Sequence, residues 1–176
     1  MAIDRQKTET VHWHAVFTAS RAEKKVRDRL EELGVECFLP VQTVLRQWTY
    51  RKSRVGVPVI AGVVFVRVGR QEQVKVLQTK GVVAFLRLKG EAGAAVIPDK
   101  QMEDFRFLLD FSEEAVEMTN ENIKAGDLVR VVKGSLRGME GELIRHKGVT
   151  KVLVRIDMLG CAMVNIPASF VEKLNK

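Results

Sequence analysis

Cysteine is scarce in this chain: Cys37 and Cys161 are the only two thiols in 176 residues and lie far apart. That spacing excludes the disulfide framework of a small secreted domain and reads most simply as reduced thiols in a cytosol. Long apolar runs are missing too. The longest uncharged one, residues 55–66, is twelve residues interrupted by Gly56, Pro58 and Gly62, against the roughly 20 needed to cross a bilayer. A soluble, cytoplasmic protein with no membrane partner is expected. The first ten residues carry Asp4, Arg5, Lys7 and Glu9 and no apolar stretch, so no signal peptide is expected either. Aromatics make up only 6% of the chain, but Val, Ile, Leu and Phe are plentiful enough to bury a core, which excludes full disorder.

The chemistry of an active site is also missing. No Ser/His/Asp set, paired-carboxylate motif or nucleotide-binding loop stands in its required context, and no Gly-Lys-Ser/Thr ending follows a strand and opens a helix. His12 and His14, two apart on an expected strand, face the same way. With no Cys or carboxylate at matching spacing they are read as surface imidazoles rather than metal ligands, and His146, before a turn, is read as exposed. No enzyme, metal or cofactor is expected.

Acidic residues have a conspicuous gap. None lies between Glu36 and Glu72, whereas Arg46, Arg51, Lys52, Arg54, Arg67 and Arg70 do. A one-signed field attracts polyanions, and Trp48 and Tyr50 in the same stretch can stack on unpaired bases; the alternative is a solvated basic loop. The whole chain carries +7, which divides into +6 over residues 1–111, −4 over 112–122 and +5 over 123–176. The polar acidic stretch 112–122 reads as a linker between two modules.

Periodicity supplies the elements. Residues 12–18 form a first strand, Ser20 and Glu23 a capping box, and Ala22, Val26, Leu30 and Leu33 the buried stripe of a helix ended by Gly34. A strand over 36–45, a basic connection over 46–54 and a β-rich stretch over 57–68 bent at Gly62 follow. A short helix over 71–78, a strand over 82–88 and a helix opened by Pro98 and Asp99, with Met102, Phe105, Leu108 and Leu109 inward, complete the first module. The expected fold class is α+β, an antiparallel sheet flanked by helices. After residue 122, short strands over 128–132, 141–145, 151–157 and 161–166, with a last strand or turn over 170–174, imply a small closed all-β barrel.

Within that second module Gly126, Gly134, Gly138 and Gly141 punctuate Lys-Ala-Gly-Asp-Leu-Val-Arg-Val-Val-Lys-Gly-Ser-Leu-Arg-Gly-Met-Glu-Gly, with Val129 and Val131 alternating between them. The segment resembles the KOW motif of SH3-like barrels. The order of Trp13-His-Ala-Val-Phe-Thr, Glu23-Lys-Lys, Phe38-Leu-Pro, Arg46-Gln-Trp48, Arg51-Lys52, residues 57–66, Gly81-Val-Val and Ile97-Pro-Asp99 resembles NusG amino-terminal domains. The two resemblances give residues 1–111 as a polymerase-binding domain, 112–122 as linker and 123–176 as a KOW barrel. The ending Asn165-Ile-Pro-Ala-Ser-Phe-Val-Glu-Lys is most similar to UpxY-type antiterminators of capsular polysaccharide operons.

This resemblance implies a specialised antitermination factor that binds the clamp of RNA polymerase's largest subunit and suppresses pausing or termination. The docking patch would be drawn from Val63, Phe65 and Phe85, with Phe105 nearby. Ile60, Ala61 and Val63 stand where the family pattern has Phe, Pro and Tyr, so this patch is less aromatic than usual. Arg21, Lys24, Lys25, Arg46, Trp48, Arg51, Lys52 and Arg54 are the candidates for contact with non-template or upstream DNA. The barrel would engage a ribosomal protein or termination factor, and a monomer is expected. Alternatives are a general NusG-like elongation factor and a ribosome-associated RNA-binding KOW protein.

One specialised NusG relative has a carboxy-terminal domain that switches between helices and strands. Here β-branched residues over 129–132 and 152–156, with glycines interrupting every long run, favour a constitutive β module. Far-ultraviolet circular dichroism of the excised segment 123–176 is expected to be β-type; a helical spectrum would overturn this.

Overall fold

The computed structural model describes residues 9–175. They fall into two compact units: one runs to Leu39 and resumes over Gly62–Val96, and the other takes Pro40–Ala61 and the chain from Ile97 onward. In the first unit, β1 (His12–Thr18), α1 (Glu23–Glu32), β2 (Glu36–Phe38), β5 (Val63–Val68), α2 (Arg70–Leu77) and β6 (Val82–Phe85) build a four-stranded antiparallel sheet in the order β2-β5-β1-β6. The second unit contains the hairpin β3 (Val41–Trp48) and β4 (Arg51–Pro58), then α3 (Asp99–Phe111) and the strands β7 (Glu117–Thr119), β8 (Asp127–Val131), β9 (Glu140–His146), β10 (Val149–Ile156), β11 (Gly160–Asn165) and β12 (Val171–Lys173).

Strand β5 organises the first unit. It pairs with β1 on one edge and β2 on the other, and Val63, Val64, Phe65, Val66 and Val68 are all buried. Because successive strand side chains alternate between faces, the register assigns each residue a side. Val63 and Phe65 lie opposite Phe17 and Ala15 on one face; Val64 and Val66 lie opposite Val16 and His14 on the other. Helices α1 and α2 pack against β5, and on the second face the Cys37 thiol reaches the Arg27 carbonyl of α1. Val26 and Leu30 of α1 are fully buried, and Gly34 follows the helix at φ +74, where glycine carries no Cβ penalty. Leu33, expected on the buried stripe, is exposed just beyond the helix end.

Local chemistry departs from the capping expectation. Helix α1 starts after Ala22, with no side-chain cap from Ser20. Glu23 is instead buried, and its carboxylate accepts the Gly62 N–H at 2.7 Å. A bond across the fold to the glycine turn before β5 thus replaces a local cap. The strand expected over 36–45 breaks at Pro40, which separates β2 from β3, and the expected basic connection over 46–54 is the distal half of a regular hairpin.

In the second unit six strands pair antiparallel in the order β12-β8-β9-β10-β11-β7. Ile144, Leu153, Cys161 and Met163 pack together with Ile123 against them. The turn at Lys147-Gly148 has φ +50 and +81, the paired positive values of a two-residue hairpin whose twist matches its strands. The units part elsewhere than at the expected boundary after residue 111. Helix α3 packs beside β10, where Gln101 accepts the Asp157 N–H at 2.9 Å, and the hairpin residue Gln42 accepts the Val116 N–H at 3.1 Å. The expected linker contains β7, which pairs with β11.

Because Phe65 is fully buried, Phe65→Ala is expected to cost about 3–5 kcal/mol by emptying volume that neighbours refill only in part. The urea midpoint of the full chain measures it.

Candidate nucleic-acid interface

The eight cationic and aromatic candidates divide between the units. Arg21, Lys24 and Lys25 belong to the first, all exposed, around the start of α1. Arg21 holds φ +59, uncommon for a residue with a Cβ, in the turn that feeds the helix. Arg46, Trp48, Arg51, Lys52 and Arg54 belong to the hairpin of the second unit and are exposed as well.

The hairpin register sorts its residues further. Trp48 lies opposite Arg51, and Arg46 opposite Ser53, on one face; Gln47 lies opposite Lys52, and Leu45 opposite Arg54, on the other. Each face therefore carries two cations. The Trp48 indole N–H donates to the Ser53 hydroxyl at 3.1 Å, which holds the ring along its own face. Tyr50, at the two-residue tip, is 97% exposed, and a recess of about 310 Å³ lies among Trp48, Thr49, Tyr50 and Arg51. Among the described residues, none of the ion pairs engages these four hairpin cations. Tyr50, expected from the sequence to be able to stack beside the basic residues, stands at the turn of the hairpin.

The expected polymerase patch is corrected. Val63, Phe65, Phe85 and Phe105 are all buried, and they do not share a surface. Val63 and Phe65 occupy the Ala15 face of the sheet, whereas Phe85 lies opposite Val16 on the other, where its ring meets His14 edge-on at 5.8 Å. Phe105 belongs to the inward stripe of α3 with Met102 and Leu108. Side chains of β5 are buried on both faces of the sheet, so neither face of this strand offers a contact surface.

His14 is likewise corrected from surface to interior. Its Nδ1–H donates to the Ala95 carbonyl at 2.8 Å, and burial pushes the imidazole below its ordinary range, partly opposed by that bond. His12, on the same sheet face, is exposed, and His146 is half-buried. Burial raises the Cys37 thiol to about 11, which keeps it protonated and unreactive at neutral pH. Among the described residues no group of three or more His, Cys, Asp or Glu could hold a metal ion, and no helix is long and apolar enough to cross a membrane.

The glycine-rich segment of the second unit is built around two kinds of constraint. Gly134 and Gly138 have φ +81 and +93 in the loop from β8 to β9, while a Cβ on Gly126 would come within 2.2 Å of the Leu143 carbonyl and one on Gly141 within 2.8 Å of the Val152 side chain. Val129 and Val131 between them are buried. An ion pair that the sequence did not reveal locks the segment. Arg155 donates from Nε and Nη2 to the two Glu142 carboxylate oxygens at 2.6 and 2.9 Å and from Nη2 to the Ile123 carbonyl at 3.0 Å. Glu142 in turn accepts the Gly126 N–H at 3.0 Å. The forked geometry is the strong form of this interaction.

A family model described as transcription termination factor nusG matches residues 11–106. The chain belongs to the NusG family. Its members are transcription factors rather than enzymes. The structure described as "Domain interaction in Thermotoga maritima NusG" is similar in fold at a TM-score of 0.51, with 22% identity over 94% of this chain and 98% of that one. Conformation B of an MjSpt4:Spt5 complex aligns over 93% of this chain and 97% of that one at 18% identity and a TM-score of 0.29. No match emerges among curated proteins. The NusG match spans β1 to α3, including the basic hairpin, and stops short of the glycine-rich segment.

The arginine beside Glu142 holds its carboxyl below the ordinary 4.5. A carboxylate depressed in the folded state contributes stability that is full above the unfolded value and lost as pH falls through the folded one. Glu142→Gln is therefore expected to lower stability by about 1.5–3 kcal/mol at pH 7 and to narrow that gap below pH 4. Denaturant titrations of both chains across pH 3–7 check it.

Proposed function

We propose that this NusG-family chain is a specialised antitermination factor that docks on the clamp of RNA polymerase's largest subunit and suppresses pausing or termination. The single observation that carries the reading is the family match over β1 to α3. The UpxY-like ending at residues 165–173 favours a capsular polysaccharide operon as its target, and the glycine-rich strands favour a KOW barrel that recruits a ribosomal protein or termination factor. A cytoplasmic monomer fits this role, its glycine-rich segment following residues 112–122 in the chain. A factor that prefers the closed clamp shifts the balance toward elongation by its difference in affinity for the two states.

Docking requires accessible apolar side chains, which the buried Val63, Phe65, Phe85 and Phe105 do not supply. In the first unit Val83 on the edge strand β6, and Leu88 and Val96 in the loop that follows, are exposed. The Ala95 N–H bond to the Leu86 carbonyl, at 2.8 Å, and the His14 bond to Ala95 hold that loop in place. We assign the clamp contact to this edge.

Capture of the full chain by isolated clamp is the test. Retention is expected for the unaltered protein and at least a tenfold loss for Val83→Asp with Leu88→Asp, with the circular dichroism spectrum unchanged. No capture of the unaltered chain overturns the clamp reading; equal capture of the variant overturns the assigned edge.

A further inference from the structure

We infer that the β3–β4 hairpin is an arm that enters the major groove of B-form duplex DNA. This deepens the nucleic-acid contact of the family reading, which expects non-template or upstream DNA, with Trp48 and Tyr50 able to stack on unpaired bases. The argument rests on where the register puts the charges. Arg46 and Arg51 point to one side of the ribbon and Lys52 and Arg54 to the other. A single strand, or any flat polyanionic surface, would engage one side and leave two cations facing water. A groove presents phosphate backbones on both sides of whatever occupies it, so all four cations find partners at once.

Dimensions agree. The B-form major groove, about 12 Å wide, admits a two-stranded ribbon. The strands here are eight residues each, which at about 3.4 Å per residue makes an arm about 27 Å long, with strands about 4.8 Å apart. Every side chain from Leu45 to Lys52 is exposed, so the distal part is accessible on both faces. No Asp or Glu lies between Glu36 and Glu72 to repel the backbone or to neutralise the arm from within. The aromatic groups fit this role better than stacking on single strands. Trp48 is tied to Ser53 along its face, and Tyr50 shares the leading tip with Thr49. A-form RNA is a poor alternative, because its deep, narrow major groove does not admit such an element.

The test uses the full chain without polymerase, so its outcome is independent of clamp capture. Fluorescence anisotropy is measured against a 20-base-pair DNA duplex, the corresponding single strand and an RNA duplex of the same sequence, from 50 to 300 mM salt. The DNA duplex is expected to bind tightest. Arg46→Gln with Arg51→Gln, and separately Lys52→Gln with Arg54→Gln, are each expected to lower the salt slope for the duplex by about 2, since each lost phosphate contact removes roughly one. Matching thermal midpoints for both variants establish that the fold is intact. Equal or tighter binding of the single strand or the RNA duplex overturns the inference. So does a loss confined to one face of the ribbon, or the absence of duplex binding by the unaltered chain.

Discussion

Pairing of β5 on both edges is the constraint from which the first unit follows. A strand hydrogen-bonded on two sides has no edge to offer, and with helices packed against it the residues Val63 to Val66 are inside. Sheet register then decides what shares a face, and it separates Phe65 from Phe85 although both are aromatic, apolar and close in sequence. Glu23 reinforces the arrangement by holding the Gly62 turn at the point where the chain enters β5. The edge strand β6, with the exposed Val83, and Phe17 of β1 are places where the same sheet still presents apolar side chains to water.

Charge is arranged in two ways in this molecule. In the sheet of the second unit cations are matched: Arg155 with Glu142, Arg130 with Glu140, and the buried Lys151 with Glu117 of β7. The Lys151 pair fixes a three-residue strand to the sheet, because removing Glu117 would leave an ammonium group with little water around it. Along the hairpin the cations are unmatched by carboxylates of the described residues. Paired and unpaired charge are thus separated by position, and a net count over the chain mixes the two.

Much of the architecture was legible in the sequence because it is written in local signals. The stripe of Val26 and Leu30, the Gly34 stop and the Pro98-Asp99 start each depend on a few adjacent residues, and the structure has all three. What escaped reading depends on pairing at a distance. Arg46 to Arg54 looked like a loop because a polar exposed ribbon lacks the apolar alternation that marks a half-buried strand. β7 looked like linker because three residues carry no period. The burial of His14 required β1 to be a central strand covered by α2, which no spacing of two histidines can reveal. The burial of the residues expected for docking escaped reading for the same reason: apolar identity marks both cores and contact surfaces, and only the folded arrangement tells them apart.

The hairpin is joined to the first unit through Leu39 and Gly62, and the Val59 N–H bond to the Pro40 carbonyl closes its base. Evolution can therefore change its length without rewriting the sheet that flanks it in sequence. The permitted increments are set by parity. Adding one cross-strand pair to each arm lengthens its reach by about 3.4 Å and swaps the side on which every more distal residue projects, whereas adding two restores it. Lengthening a closed loop carries only a logarithmic entropy cost. Two-pair steps are therefore the ones that preserve the distribution of charge between the two faces.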